Sequence, residues 1–138
     1  MYPAELTAPM AQELINSGFE SLTTAEQVSN TLDAQQGTIL VVVNSVCGCA
    51  AHNARPGVRM AIENSDKKPS KLVTVFAGVD KAAVDKAREY FIPYPPSSPS
   101  VALFKDGKLV HFIERHNIEG RSAQAIAYNL VQAFEAYC

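Results

Sequence analysis

Cysteine is scarce in this chain of 138 residues: there are three, which do not make the disulfide framework of a small secreted domain. An excess of charge is missing as well. Twelve Lys and Arg face 14 Asp and Glu, a formal net charge of -2 with no long run of either sign. That excludes the electrostatic footprint expected of a nucleic-acid or membrane-surface binder. Long hydrophobic runs are lacking too, since the longest, Ile39 to Val43, is far too short to span a bilayer. The opening Met1-Tyr2-Pro3-Ala4-Glu5 has neither the basic nor the apolar region of a secretory signal, so the expected compartment is the reducing cytosol. Internal repeats, low-complexity tracts and dividing linkers are also absent, and the expectation is one domain over 1–138.

What is present is an ordinary globular composition, 47% hydrophobic and 19% charged, and a regular alternation of elements. Thr7 and Pro9 read as the cap and first turn of a helix that Gly18 closes. Thr24-Ala25-Glu26-Gln27 has the capping-box pattern and opens a helix running up to Gly37. Thr38 to Val43 is a continuous β-branched and aliphatic run, which suits a strand buried on both faces. It leads directly into Asn44-Ser45-Val46-Cys47-Gly48-Cys49 and then a helix, in which Pro56 is expected to introduce a kink. Leu72 to Phe76 is a second buried strand, and Asp80 is placed to cap the next helix. After a proline-crowded loop (Pro93, Pro95, Pro96, Pro99), two short strands flank Asp106-Gly107, a strong hairpin signal. A last amphipathic helix carries Ile126, Leu130, Val131 and Phe134. Phe19 to Leu22 is too brief to decide as an edge strand. Strand–helix–strand order implies parallel pairing, and the hairpin must be antiparallel, giving an α/β fold with a mixed central sheet and helices on both faces.

In a reducing compartment, two cysteines separated by one residue point to redox chemistry or metal binding. Cys47 stands where a buried strand meets a helix, beside unpaired amides and the positive end of the helix dipole. Both favour thiolate over thiol, so Cys47 is expected to be the more exposed and more acidic cysteine, and the nucleophile. Gly48 removes bulk and lets a disulfide approach the sulfur closely. A Cys47–Cys49 bond closes a smaller ring than a two-residue spacer allows. The motif is therefore expected to form a mixed disulfide at Cys47, to donate oxidation or to isomerise, rather than to act as a strong reductant.

Motif and element order together resemble the thioredoxin superfamily, and the likeness continues through Ser98-Pro99-Ser100-Val101-Ala102-Leu103-Phe104-Lys105-Asp106-Gly107-Lys108. In that superfamily a cis-proline loop faces the active-site cysteine and offers backbone atoms to substrate. The matching positions here are Pro99 and Ser98, so the Ser98-Pro99 bond is expected to be cis. Across nearly the whole chain the sequence resembles the bacilliredoxin family, through Asn44 to Ala50, Ile92 to Pro99, and Arg115-His116-Asn117-Ile118-Glu119-Gly120-Arg121. The resemblance implies removal of bacillithiol from S-bacillithiolated client proteins, with Cys47 taking the thiol onto itself. Bacillithiol is then a co-substrate, no cofactor or metal is called for, and a thiol reductase is a possible partner.

Other readings stand beside this one. Buried cysteines are often inert small hydrophobes. Cys47, Cys49 and His52 could be metal ligands, although no fourth ligand is obvious nearby. His52 otherwise reads as a solvent-facing helix residue and His111 as a residue on a sheet face. His116 either contacts a bound thiol or serves its loop. Arg55 and Arg59, one turn apart, either attract an anionic thiol or form an exposed helix face. Cys138 is a resolving cysteine, an accidental exposed thiol or a packed side chain; the sequence does not rank these. A protein disulfide isomerase and a non-catalytic redox or metal-binding module are the alternative functions.

Overall fold

The protein is built around one strand buried along its whole length, β2 (Thr38–Asn44). The computed structural model describes residues 2–138. Before β2 come helix α1 (Ala4–Ile15), the short strand β1 (Glu20–Ser21) and α2 (Ala25–Leu32). After it, a π-helical turn over Ala50–Ala54 runs into α3 (Arg55–Asn64), followed by β3 (Lys71–Phe76) and α4 (Lys81–Glu89). The hairpin β4 (Ser100–Lys105) and β5 (Lys108–Ile113), the single turn α5 (Arg115–Ile118) and α6 (Ala123–Tyr137) complete the chain. The five strands lie in the order β1-β3-β2-β4-β5. β1 and β2 pair parallel with β3, whereas β4 pairs antiparallel with both β2 and β5.

The alternating side chains of β2 explain why its sequence has no polar alternation. Leu40 and Val42 join a core with Val58, Ile126, Leu130 and Phe134 from α3 and α6. Ile39, Val41 and Val43 join a second core with Val28, Leu32, Val84 and Ala87 from α2 and α4. Each such aliphatic side chain, fully buried, contributes about 1.5–3 kcal/mol. The tight turn of the hairpin puts Asp106 at φ 50° and Gly107 at φ 83°, the paired positive values that Asp-Gly accommodates. Thr24 and Gln27 form the expected reciprocal cap: the Gln27 amide donates to Thr24 Oγ1 at 3.1 Å, and the Thr24 amide to Gln27 Oε1 at 3.3 Å.

Several boundaries differ from the sequence expectation. Helix α1 begins at Ala4, because Pro3 already holds φ at -64° and stands as the cap, and Pro9 lies inside the helix. Thr7 is an interior residue whose hydroxyl bonds back to the Pro3 carbonyl at 3.4 Å. Helix α2 stops at Leu32, well before Gly37. Asp80 occupies the cap position of α4 but makes no side-chain cap bond, and burial raises its carboxyl pKa. Phe19 to Leu22 does supply an edge strand, in which Glu20 and Ser21 pair with Val73 and Thr74. Pro56 falls in the first turn of α3. The disruption precedes it as the π turn, in which the Arg55 amide reaches back to the Ala50 carbonyl.

Candidate active site

Strand β2 ends at Asn44, and the chain turns there into Ser45, Val46 and Cys47. The Cys47 carbonyl accepts from the amides of Ala50 and Ala51, both at 3.1 Å, so Cys47 begins the helical stretch. The Cys47 amide in turn donates to Ser45 Oγ at 3.4 Å. Cys47 thus has the strand-to-helix position expected of it, at the positive end of the stretch that continues as α3. Cys47 and Cys49 are joined by a disulfide, with Cα atoms 5.4 Å apart. Both are half-buried, and Cys49 packs against the core that also holds Val58 and Ile126.

Gly48 between them is exposed. A Cβ added there would meet only His52 Cδ2, at an ordinary 3.7 Å. Folding therefore does not require glycine at this position.

The register of the sheet brings the second predicted segment to the same place. Val43 of β2 stands opposite Ser100 of β4, so Pro99 and Ser98 run beside the Asn44–Ser45 end of β2. The Ser98-Pro99 peptide is cis, as expected, and Ile92-Pro93 is cis as well. Pro99 is buried and Ser98 half-buried. Arg115 holds this loop, with Nη1 donating to the Ser98 carbonyl at 3.2 Å and its amide to Ser97 Oγ at 3.4 Å. The α5 turn is tied to the π turn by Asn53 Nδ2, which donates to the Ile118 carbonyl at 3.2 Å. Cys47, Gly48, Cys49, Ser98 and Pro99 thus gather at one end of the sheet.

Other candidates lie elsewhere or behave differently. His52 is exposed on the π turn, and among the described residues no three His, Cys, Asp or Glu side chains converge to hold a metal ion. His111 lies on β5 and bonds Asn129 Oδ1 at 2.7 Å. His116 belongs to the helical turn α5 rather than a loop, exposed and 3.8 Å from a Glu114 carboxylate oxygen. Arg55 corrects both readings of the Arg55/Arg59 pair: it is 2% exposed, neither on a solvent face nor open to a ligand. Its burial follows from helical spacing, since Val58 and Ile62 share its face of α3.

Cys138 is exposed but packed on one side, and that desolvation raises its thiol pKa. Bonding to Thr38 and the charges of Lys105 and Lys67 oppose the rise. Thr38 is the first residue of β2, whereas Cys47 lies beyond the last. About 20 Å of strand separates them, at about 3.3 Å per residue. Cys138 therefore cannot resolve an adduct on Cys47 of the same molecule. Cys138→Ser is expected to leave turnover unchanged in a client-release assay, and a loss of turnover would refute this placement.

The sequence compared with known proteins agrees with this geometry. A family model described as disulphide isomerase matches residues 2–138. A bacilliredoxin of Cytophaga hutchinsonii is 61% identical over 135 residues, covering 98% of each chain. The chain belongs to the bacilliredoxin family. A bacilliredoxin of Bacillus cereus is 56% identical over 137 residues, 99% of this chain and 95% of that one. In fold, oxidised mitochondrial thioredoxin 3 of Saccharomyces cerevisiae superposes with a TM-score of 0.57 at 17% identity, covering 87% of this chain and 96% of that one. The fold is thus thioredoxin-like, as the sequence resemblance implied, and the protein is a thiol–disulfide oxidoreductase acting on thiol-bearing protein clients. No helix among the described residues is long and apolar enough to cross a membrane.

Proposed function

We propose that this bacilliredoxin removes bacillithiol from S-bacillithiolated client proteins in the cytoplasm, without cofactor, metal, nucleic acid or membrane. The observation that carries the reading is the placement of Cys47 at the head of the helical stretch, opposite the Ser98-Pro99 loop, in a chain 61% identical to a bacilliredoxin. The Cys47 thiolate attacks the bacillithiol sulfur of the client mixed disulfide. A bond forms between Cys47 Sγ and that sulfur, the client S–S bond breaks, and the client thiolate leaves and takes a proton from solvent. An external thiol, or a thiol reductase acting as partner, then exchanges onto the adduct and restores Cys47. Ser98 and Pro99 offer backbone to the client, and Gly48 leaves room for the approaching disulfide. Intact-mass spectrometry after exposure of the reduced protein to oxidised bacillithiol tests this. One bacillithiol adduct, on Cys47, is expected, and it persists where Cys49→Ser removes the neighbouring thiol; absence of any adduct in Cys49→Ser overturns the reading.

Protein disulfide isomerisation is the second reading, favoured by the description of the matching family model and by two cysteines within bonding reach. Both readings need Cys47 ionised. Its pKa in the reduced protein is expected below the ordinary free-thiol value of about 8.5, because the helix end favours the charged form. Cys47 alkylation should then rise tenfold per pH unit below that pKa and level off above it. An unshifted value in a variant with Cys47 as its sole cysteine refutes the assignment.

A further inference from the structure

The structure assigns Arg55 as the residue that positions the Cys47 loop and supplies the buried positive charge beneath it, an inference that rests on Cys47 being the nucleophile. Arg55 Nη1 donates to two acceptors in the chain leaving β2: Asn44 Oδ1 at 3.0 Å and the Ser45 carbonyl at 2.8 Å. The same Asn44 Oδ1 accepts the Ser45 amide at 2.8 Å, and Asn44 Nδ2 donates to the Met10 carbonyl at 3.2 Å. Ser45 Oγ in turn accepts the Cys47 amide. One guanidinium therefore holds the two residues that set where Cys47 begins its helix, and Ser45, whose carbonyl it holds, carries the hydroxyl that accepts the Cys47 amide. Each guanidinium Nη carries two N–H bonds, so Nη1 alone can donate to both acceptors at once.

The charge balance under this loop is uneven. Arg55 Nε lies 3.4 Å from Glu13 Oε2 but makes no hydrogen bond, and Arg59 Nη1 lies 4.0 Å from Glu13 Oε1. Two cations share one carboxylate, and Asn44, where an aspartate would balance the set, is neutral. Arg55 is 2% exposed, so its charge is little screened, whereas Glu13 and Arg59 are 36% and 42% exposed. An excess positive charge buried behind a thiol favours its ionised form. Other ionisable groups border this end of the sheet: His52 on the π turn, Asp80 before α4, and Glu114, Arg115 and His116 at the end of β5 and in α5. They stay the same in every variant below, so differences between variants report the Arg55–Glu13 pair.

The test uses the full chain with Cys49→Ser and Cys138→Ser, reading the Cys47 pKa from the pH dependence of iodoacetamide alkylation. Removing the cation and removing its counter-charge must act in opposite directions. Arg55→Met is expected to raise the Cys47 pKa by about one unit, a tenfold loss of thiolate below the pKa. Glu13→Gln, which leaves both arginines uncompensated, is expected to lower it by about half a unit. Arg55→Lys keeps the charge and should retain most of the shift. A loss of packing alone would not reverse sign between Arg55→Met and Glu13→Gln. If Arg55→Met does not fold, Glu13→Gln and Arg55→Lys still decide. A Glu13→Gln pKa that rises or stays put, or an Arg55→Lys pKa that rises by a full unit, overturns the assignment. An ordinary pKa in the parent protein would instead overturn the nucleophile reading itself, so the two failures are distinguishable.

Discussion

Replacing Cys47 by serine is expected to abolish client release, a loss of more than ~1,000-fold, as when a covalent nucleophile is removed. A serine hydroxyl ionises far above neutral pH and cannot exchange with a disulfide, so the helix end and the buried Arg55 have nothing to activate. Replacing Cys49 by serine is expected to act quite differently. First release of the client needs only Cys47, so its rate should stay within about threefold of wild type, while bacillithiol accumulates on Cys47. A bacillithiolated model protein provides the assay, with client thiol read by a chromogenic disulfide and the adduct by intact mass. Complete loss of release in Cys49→Ser would mean that both cysteines are required, and would favour the dithiol or isomerase reading.

What separates those readings is the fate of the adduct. Cys49 is held near Cys47 by the helical stretch and by its packing against the core beside Val58, and the two sulfurs are bonded in the structure. Attack by Cys49 on the adduct would release bacillithiol and leave this disulfide, moving the oxidation onto the protein. The one-residue spacer argues that such closure is slower than with a longer spacer. The accumulated adduct in Cys49→Ser, compared with that in wild type, measures how much of the resolution Cys49 supplies. Cys138 contributes nothing to it within one molecule, being at the far end of β2.

The parts of this protein that were legible in its sequence are those governed by local rules. The run Thr38 to Val43 is apolar at every position because both faces of β2 meet helices, and a strand with one wet face would have alternated. Asp106-Gly107 and Thr24/Gln27 specify their turn and cap through their own backbone chemistry. Arg55 was not legible, because its meaning lies with Glu13 on another helix and Asn44 on a strand. A charged residue beside another charged residue looks like a solvated face until the fold shows what covers it. Only its helical spacing from Val58 and Ile62 signalled burial. Helix α1 starts ahead of the signals at Thr7 and Pro9 because Pro3, with its φ fixed at -64°, already stands at the cap position. The role of Arg115, which holds the Ser98 carbonyl, is not legible in its motif either, because the contact joins residues 17 apart in the chain.

The close crossing of α3 and α6 supplies the second large effect. Within a helix, Gly→Ala ordinarily stabilises by about 0.5–1 kcal/mol, because glycine loses more backbone freedom on folding. At Gly57 the sign should reverse. A Cβ there would lie 2.8 Å from both Cβ and Cγ2 of Ile126 and 3.0 Å from the Ala123 carbonyl oxygen. None of these is the free end of a flexible chain, so α6 itself would have to move. Such overpacking costs about 1–3 kcal/mol, and Gly57→Ala is expected to lower stability by that amount. The consequence reaches the site, because α3 carries Arg55 and continues the helical stretch that Cys47 begins. Gly48→Ala is the control: its nearest neighbour is 3.7 Å away, and stability should change by less than about 0.5 kcal/mol. Denaturant unfolding of the reduced proteins at equal m-value measures both. A Gly57→Ala midpoint equal to or above that of wild type would show that α6 yields freely, and that the α3–α6 contact does not fix the helix bearing Arg55.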